Sequence, residues 1–248
     1  PKYLCGICFT IKEIQDMTSA TLKLLACALM VVDHLGSIFF PHEPVMRAIG
    51  RLAYPMFAYL IAEGYSHSKD KTSYLGRLFL FSLVSQPFYM FAFRYPVVHF
   101  NVFFTLAAGL YAIYAYEKKK SLVPVLLAGI SLEFVKASYG LPGALMIFVM
   151  HYFMGNYRKM FLWVLITAAL CTLRGIAWRY FDDPHFMPTL AWILPHARVS
   201  LMEPLAALAV PIIALYNGKL GPKMKFFFYA FYPGHLAILG AIRWLLAR

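Results

Sequence analysis

Residues 26–64 read ACALMVVDHLGSIFFPHEPVMRAIGRLAYPMFAYLIAEG, two apolar runs that carry Asp33, His34, Arg51 and Glu63. Each run approaches the length of about 20 apolar residues that a helix needs to cross a bilayer. A charged side chain inside such a helix is costly, so it normally faces the interior of a bundle and pairs with another group there. The stretch therefore predicts membrane helices with a polar interior, placed there either for chemistry or for helix packing.

The composition extends this prediction to nearly the whole chain of 248 residues. Hydrophobic residues make up 61% and charged residues 14% of it, whereas about 25% is charged in a soluble domain. We expect an all-α, polytopic transmembrane bundle of about eight or nine spans. One domain, residues 17–248, would follow a short cytoplasmic segment at residues 1–16. The predicted spans are 20–40, 45–66, 74–93, 100–116, 122–134, 141–155, 159–178, 199–216 and 226–246.

The basic residues predict a direction for this bundle. With the amino terminus on the cytoplasmic side, most of the 23 Lys and Arg residues fall on that side, as the positive-inside rule requires. Residues 118–120 and the loop 219–225 are the strongest anchors because they are short and rich in lysine. The net charge of +12 therefore reflects membrane topology, and we predict no binding of nucleic acid.

Asp33 and His34 are the sharpest candidates for chemistry. Because they are adjacent, their side chains point about 100° apart on a helix and cannot stack on each other. A histidine oriented by a carboxylate is a frequent general base, provided that another helix supplies the remaining partner. The alternative is an ion pair between Asp33 and Arg51 that joins two helices, with His34 as a packing donor. The spacing alone leaves both open.

Further polar groups occur at helical spacings. Glu63 and His67 are four residues apart and share a helix face at the predicted cytoplasmic end. Asn101 opens the fourth span, and His235 lies in the last span beside Pro233, which frees a backbone carbonyl. Each has a structural alternative: stabilisation of a helix end for Glu63 and His67, and a hydrogen bond to a neighbouring carbonyl for His235.

Two groups have the composition of metal sites, but we predict no metal ligand. Cys5 and Cys8 form a CxxC without a second pair. Asp182, Asp183 and His185 lie in a predicted outer loop that solvent would reach.

Six segments carry a resemblance: LKLLACALMVVDHLGSIFFP, GRLAYPMFAYLIAEGYSHS, SQPFY, FNVFFTLAAGLYAIY, SYGLPGALMI and FYPGHLAIL. In this order they resemble the TraX family of conjugal-transfer membrane proteins over residues 18–240. Members of the F-plasmid type are associated with N-acetylation of conjugative pilin, and others serve pili that are processed differently, for instance by cyclisation. The polar and turn residues on the matching motifs are Asp33, His34, Gly50, Arg51, Pro55, Asn101, Ser138, Tyr139, Gly140, Gly143, Tyr232 and His235.

The resemblance implies a multi-pass protein of the bacterial cytoplasmic (inner) membrane. Its partners would be the lipid bilayer and a conjugative pilin subunit, and acetyl-CoA would be the acyl donor. Basic residues of the inner side are available for the phosphates of the coenzyme, although positive-inside charge alone also explains them. These residues are Lys69, Lys71, Arg77, Lys118, Lys119 and Lys120.

The resemblance also implies roles in catalysis. His34 or His235 would take the proton from the attacking pilin amine, and Asp33 would orient that base. Asn101 and tyrosine hydroxyls would stabilise the tetrahedral oxyanion. The side chains expected to bind substrate or stabilise the transition state are Arg51, Asn101, Tyr139, Tyr232, Glu63 and His67.

The leading interpretation is thus a membrane-embedded acyltransferase of pilin maturation. Two alternatives stay open: a non-enzymatic pilin chaperone or scaffold, and a pilin transpeptidase or cyclase that does not use acetyl-CoA. A transporter is less favoured because the sequence shows no inverted repeat. The geometric test is whether Asp33, His34, Asn101 and His235 share one cavity.

Overall fold

A computed structural model describes residues 16–95, 99–182 and 200–247 of the chain. Most of the predicted amino-terminal segment, with Cys5 and Cys8, lies outside these ranges, as do Asp183 and His185. The α-helices are α1 Ser19–Phe39, α2 Pro44–Gly50, α3 Ala53–His67, α4 Lys71–Phe93, α5 Val102–Lys119, α6 Val123–Phe134, α7 Gly140–Tyr152, α8 Tyr157–Asp182, α9 Ala209–Ile213 and α10 Lys225–Leu246. A 3-10 helix, Ser200–Leu208, precedes α9.

The predicted all-α class is confirmed. The described ranges form helices joined by short turns, and their β-type pairing is a single isolated bridge between Met17 and Tyr216. Helix α3 lies at the centre, where most of its 15 residues are buried against α1, α5, α7 and the 3-10 helix. Helix α10 packs against α4 and α1 and closes the bundle on that side.

Two predicted spans have a different form in the structure. The span predicted at 45–66 is broken between α2 and α3, because Pro55 has no N–H for the carbonyl of Arg51 and its ring would clash with that carbonyl. Arg51 and Leu52 keep right-handed backbone angles between the two helices, so the interruption is short and lies just before Pro55. The span predicted at 199–216 is the 3-10 helix followed by the five-residue α9, and Pro204 and Pro211 lack the N–H groups that a continuous α-helix needs there.

The spans predicted to be short are short. Helix α6 has 12 residues and α7 has 13, so each rises roughly 20 Å against a hydrocarbon core of about 30 Å. The two helices pack against each other and against α5. The number of spans stays a prediction.

The outer surface of the bundle is apolar. Among the described helices, α1 and the Tyr157–Phe181 part of α8 have both the length and the apolar composition to cross a membrane. Large apolar side chains also point outward from α4, α8 and α10, which is the surface expected of helices in contact with lipid. Examples are Phe79, Leu80, Leu83, Phe88, Leu162, Ile166, Leu173, Ile238 and Leu245.

Candidate functional site

A buried ion-pair network joins three elements in the carboxyl-terminal half of α1. Arg51 Nη2 donates to Asp33 Oδ1 at 2.6 Å, and Arg47 Nη1 donates to Asp33 Oδ2. The other amino group of Arg51, Nη1, lies 2.5 Å from Glu203 Oε1 on the 3-10 helix. Asp33 is only 8% exposed and Arg51 only 5%, so each buried charge needs its oppositely charged partner to offset the cost of leaving water. The ion pair between Asp33 and Arg51 that the packing interpretation predicted is present.

Gly50 allows this network to form. A side-chain carbon at position 50 would overlap the side chain of Asp33, so α2 can approach α1 this closely only with glycine there. The residue that follows it in sequence, Arg51, is thereby held against the carboxylate.

Asp33 and His34 make no hydrogen bond to each other, so the orienting role that the resemblance implies for Asp33 has no direct contact behind it. Both carboxylate oxygens of Asp33 bind arginine, so this group does not orient the imidazole. His34 Nδ1 instead lies 2.9 Å from His235 Nε2 of α10, and the two rings are nearly parallel, at 10°. Two histidines separated by 201 residues thus form a direct pair.

The proton positions in this histidine pair can be assigned because His235 also contacts the backbone carbonyl of Phe231. His235 Nδ1 lies 2.8 Å from the carbonyl oxygen of Phe231, which only accepts hydrogen bonds, so Nδ1 carries the proton. In the neutral imidazole, Nε2 of His235 is then an acceptor, and His34 Nδ1 must donate to it. Neutral His34 therefore has its lone pair on Nε2.

A cavity of about 250 Å³ lies beside the ion pairs and His34. We call it the histidine cavity. Five of the predicted site residues line it, namely Asp33, His34, Arg51, Tyr139 and Tyr232, and His235 reaches it through its bond to His34. Further polar residues in its wall are Ser37, Arg47, Tyr54, Tyr89, Tyr95, Ser138, Cys171, Arg174, Ser200 and Glu203.

Asn101 does not belong to this group. Its amide caps α5: Oδ1 accepts from the backbone N–H of Phe103, and Nδ2 donates to the carbonyl of Ser82 and to the side chain of Gln86. With all of these atoms engaged and no place in the cavity wall, Asn101 has the geometry of a helix cap. The expectation that it shares a cavity with Asp33, His34 and His235 is therefore wrong.

Glu63 and His67 lie at a second, larger cavity of about 740 Å³, which we call the basic cavity. Glu63 accepts a hydrogen bond from the hydroxyl of Tyr216 at 2.7 Å, and His67 Nδ1 lies 3.0 Å from the carbonyl of Glu63. The contact between His67 and the carbonyl of Glu63 lies at the end of α3, as the structural alternative predicted. The contact between Glu63 and Tyr216 joins α3 to the segment after α9. Neither side chain lines the histidine cavity.

The basic residues that were expected near coenzyme phosphates do not form one group. Arg77 lines the basic cavity. Lys71 instead pairs with Glu117 at 2.8 Å, and the ammonium of Lys118 lies over the ring of Tyr114.

Tyr54, which lines the histidine cavity, was not predicted from the sequence. The ring of Tyr54 stacks on that of Tyr139 with centroids 3.9 Å apart, and its buried hydroxyl has no hydrogen-bond partner among the described residues. Tyr54 stands inside GRLAYP, so the motif itself was a usable signal. Glu203 was also missed, and its signal was a single carboxylate in the apolar run SLMEPLAALAV.

Tyr139 is held by the turn between α6 and α7. It has φ +62°, a left-handed conformation that costs a non-glycine residue on the order of 1 kcal/mol. Glu133 secures the turn by accepting the backbone N–H of Leu141 at 2.7 Å and Arg174 Nε at 2.7 Å. The strained tyrosine is therefore placed at the cavity by contacts from α6, α7 and α8.

The fold and the site define a class: all-α membrane-type bundles that enclose a polar cavity with a histidine pair at its wall. The chain belongs to the TraX family, because the family model described as "TraX protein" matches residues 18–243. It is 29% identical to "Probable fimbrial assembly protein FimC, serogroup H1" of Dichelobacter nodosus, over 90% of this chain and 95% of that protein. It is 25% identical to "Protein TraX" of Escherichia coli K12, over 89% of this chain and 85% of that protein. No solved structure matches it.

Proposed function

We propose that this chain acts in the assembly of a conjugative pilus or fimbria, as a multi-pass enzyme of the bacterial inner membrane that transfers an acyl group to the amino terminus of pilin. Membership of the TraX family and the similarity to a probable fimbrial assembly protein and to a TraX protein support the role in pilus assembly. The observation that carries the enzymatic part is the bond between His34 and His235 at the wall of a polar cavity.

His34 is the base in this proposal, and Nε2 is its reactive atom. The carbonyl of Phe231 determines the tautomer of His235, and His235 in turn determines that of His34. His235 is therefore a positioning residue that leaves the lone pair of His34 on Nε2. A pilin amine within hydrogen-bond distance of this nitrogen would transfer its proton there as it attacks the acyl carbon of a thioester. The N–C bond forms as the C–S bond breaks, and the departing thiolate takes the proton back from Nε2, which leaves His34 neutral again.

The hydroxyl of Tyr54 is the best candidate for stabilising the oxyanion. Tyr54 lines the cavity, and its hydroxyl is buried and without a partner among the described residues, so a shift of the ring would let it donate to a negative oxygen there. Arg51 lies with its guanidinium carbon 6.0 Å from the centre of the Tyr139 ring and adds positive charge to the same wall. Asp33 and Glu203 hold that arginine in position.

The size of the histidine cavity limits what it accepts. Its 250 Å³ is below the roughly 300–1,000 Å³ of pockets that enclose drug-sized ligands. The residues present therefore fit an acyl group and an amine but not a whole coenzyme. Acetyl-CoA would supply the activated acetyl group, and its larger part would have to lie elsewhere.

The mass of mature pilin tests this function. Cells with this chain should yield pilin heavier by one acetyl group than cells without it, and His34→Ala should abolish the difference. His42→Ala is the matched control, because His42 is exposed in the loop between α1 and α2 and lies outside the cavity wall. Loss of one water that depends on the chain would identify a cyclase instead. An unchanged mass with less pilin in the membrane would identify a chaperone.

A further inference from the structure

The basic cavity combines an apolar wall with a cationic rim. It lies between α1, α3, α4, α10 and the loop that precedes α10. Its cationic side chains are Lys23, Arg77 and Lys223, and its single carboxylate is Glu63. Lys23 is half-buried, with its ammonium 5.6 Å from the centre of the Phe228 ring, whereas Arg77 and Lys223 are exposed.

The charges of this cavity are not balanced by the protein. Glu63 is buried and bonded to Tyr216 and His67. Within the described ranges, none of the three cations Lys23, Arg77 and Lys223 makes an ion pair. Glu63 and Asp70 attract Lys23 and Arg77 from beyond ion-pair distance. Three cations against the single carboxylate in the wall of an apolar chamber match a ligand that is anionic at one end and apolar at the other.

The basic cavity and the histidine cavity share one wall. Met30, Phe57, Val102, Leu106 and Tyr232 line both of them. A ligand whose apolar end reached this wall would lie one layer of side chains from His34.

We propose that the basic cavity binds an amphipathic anion, with its phosphate-bearing end at Lys23, Arg77 and Lys223 and its apolar end against the shared wall. Its 740 Å³ lies within the roughly 300–1,000 Å³ that ligand pockets provide. A phosphorylated acyl thioester and an anionic phospholipid both have this chemistry. The site is inferred from the cavity alone. Only the identification of its ligand as the acyl donor rests on the proposed function.

Direct binding to the full chain, purified in an uncharged detergent, tests the proposal. The probes are radiolabelled acetyl-CoA and radiolabelled dioleoyl phosphatidic acid, each titrated against unlabelled competitor. We expect saturable binding of one of them and roughly tenfold weaker binding in Arg77→Gln and in Lys23→Gln, since each loses a charge-assisted contact. Lys119→Gln is the matched control, because Lys119 is exposed at the end of α5 and lies outside both cavities. Lys23→Arg should retain binding.

The outcomes distinguish acetyl-CoA from the phospholipid as the ligand, and they test the binding site separately from the proposed function. Saturable binding of acetyl-CoA that Arg77→Gln weakens identifies the thioester, and the same result with phosphatidic acid identifies the lipid; either supports the site. Binding of neither probe, or equal affinities in Arg77→Gln and Lys119→Gln, would overturn it. Arg77 is exposed, so its variant should fold, and elution as a single species on size exclusion verifies this. His34→Ala should leave the binding intact even where it abolishes pilin modification, so failure of one proposal is distinguishable from failure of the other.

Discussion

At the scale of residues, the histidine pair gives His34 and His235 unequal roles. His235 is bonded at both ring nitrogens, to Phe231 and to His34, whereas Nε2 of His34 has no hydrogen-bond partner in the described part of the chain. A base needs a free lone pair, so the geometry selects His34. His235 acts on the reaction through the proton that it keeps on Nδ1 of His34.

Variants of the two histidines should therefore differ in effect. His34→Ala should lower the rate of pilin modification roughly 10²–10⁴-fold, the usual contribution of a general base. His235→Ala should lower it less, and His235→Gln, whose side-chain oxygen can still accept from His34 Nδ1, should restore part of the loss. The measurement is the initial rate of modification at equal levels of inserted protein. Equal losses in His235→Ala and His235→Gln would contradict the positioning role.

Asp33 has a structural role that variants can separate from catalysis. Asp33→Asn would leave Arg47 and Arg51 to the single carboxylate of Glu203, and breaking a buried ion pair in this way costs about 3–5 kcal/mol. We expect a lower midpoint of thermal unfolding in detergent. Asp33→Asn combined with Arg51→Gln should lose less stability than the sum of the two single variants, because the unpaired charge is removed. Additive losses would show that the two residues are not coupled.

At the scale of elements, close packing of α2 on α1 depends on Gly50. Gly50→Ala forces a methyl group into the side chain of Asp33, so we expect a loss of about 1–3 kcal/mol of stability together with slower pilin modification. Gly76→Ala is the matched control in α4, because a methyl group there meets nothing within 4 Å. That control should be neutral or slightly stabilising. Thermal unfolding of both variants in detergent checks the prediction, and equal effects would contradict it.

At the scale of the whole molecule, the two cavities should lie toward opposite faces of the membrane. The loop after α1 contains His42, near the histidine cavity, and the turn after α3 contains Lys69, near the basic cavity. On the predicted topology, a membrane-impermeant thiol reagent should label His42→Cys from the outside and Lys69→Cys from the cytoplasm, with native cysteines replaced. Labelling of both positions from the same side would refute this arrangement.

Composition and helical spacing predicted the all-α fold. Motif order singled out Asp33, His34, Arg51, Tyr139, Tyr232 and His235 in a longer set that also held Asn101, and it left open which of them share a cavity. The partners of these residues were harder to predict because they are distant in sequence. Arg51 and Glu203 are 152 residues apart, so no local pattern joins them. The spacing left Asp33 open between orienting a base and pairing with Arg51, and the contacts with Arg47 and Arg51 favour the ion pair. Asn101 was predicted to stabilise an oxyanion, but it caps α5. The sequence cannot distinguish these roles because both use the same side-chain amide.

The central claim is that His34 is the base of an acyl transfer to pilin. The most direct measurement is the fraction of acylated pilin amino termini formed by purified protein in lipid vesicles supplied with acetyl-CoA, compared between the unchanged chain, His34→Ala and His42→Ala. We expect full modification by the unchanged chain and by His42→Ala, and at most trace modification by His34→Ala with binding of acetyl-CoA unchanged. Full modification by correctly inserted His34→Ala would contradict it.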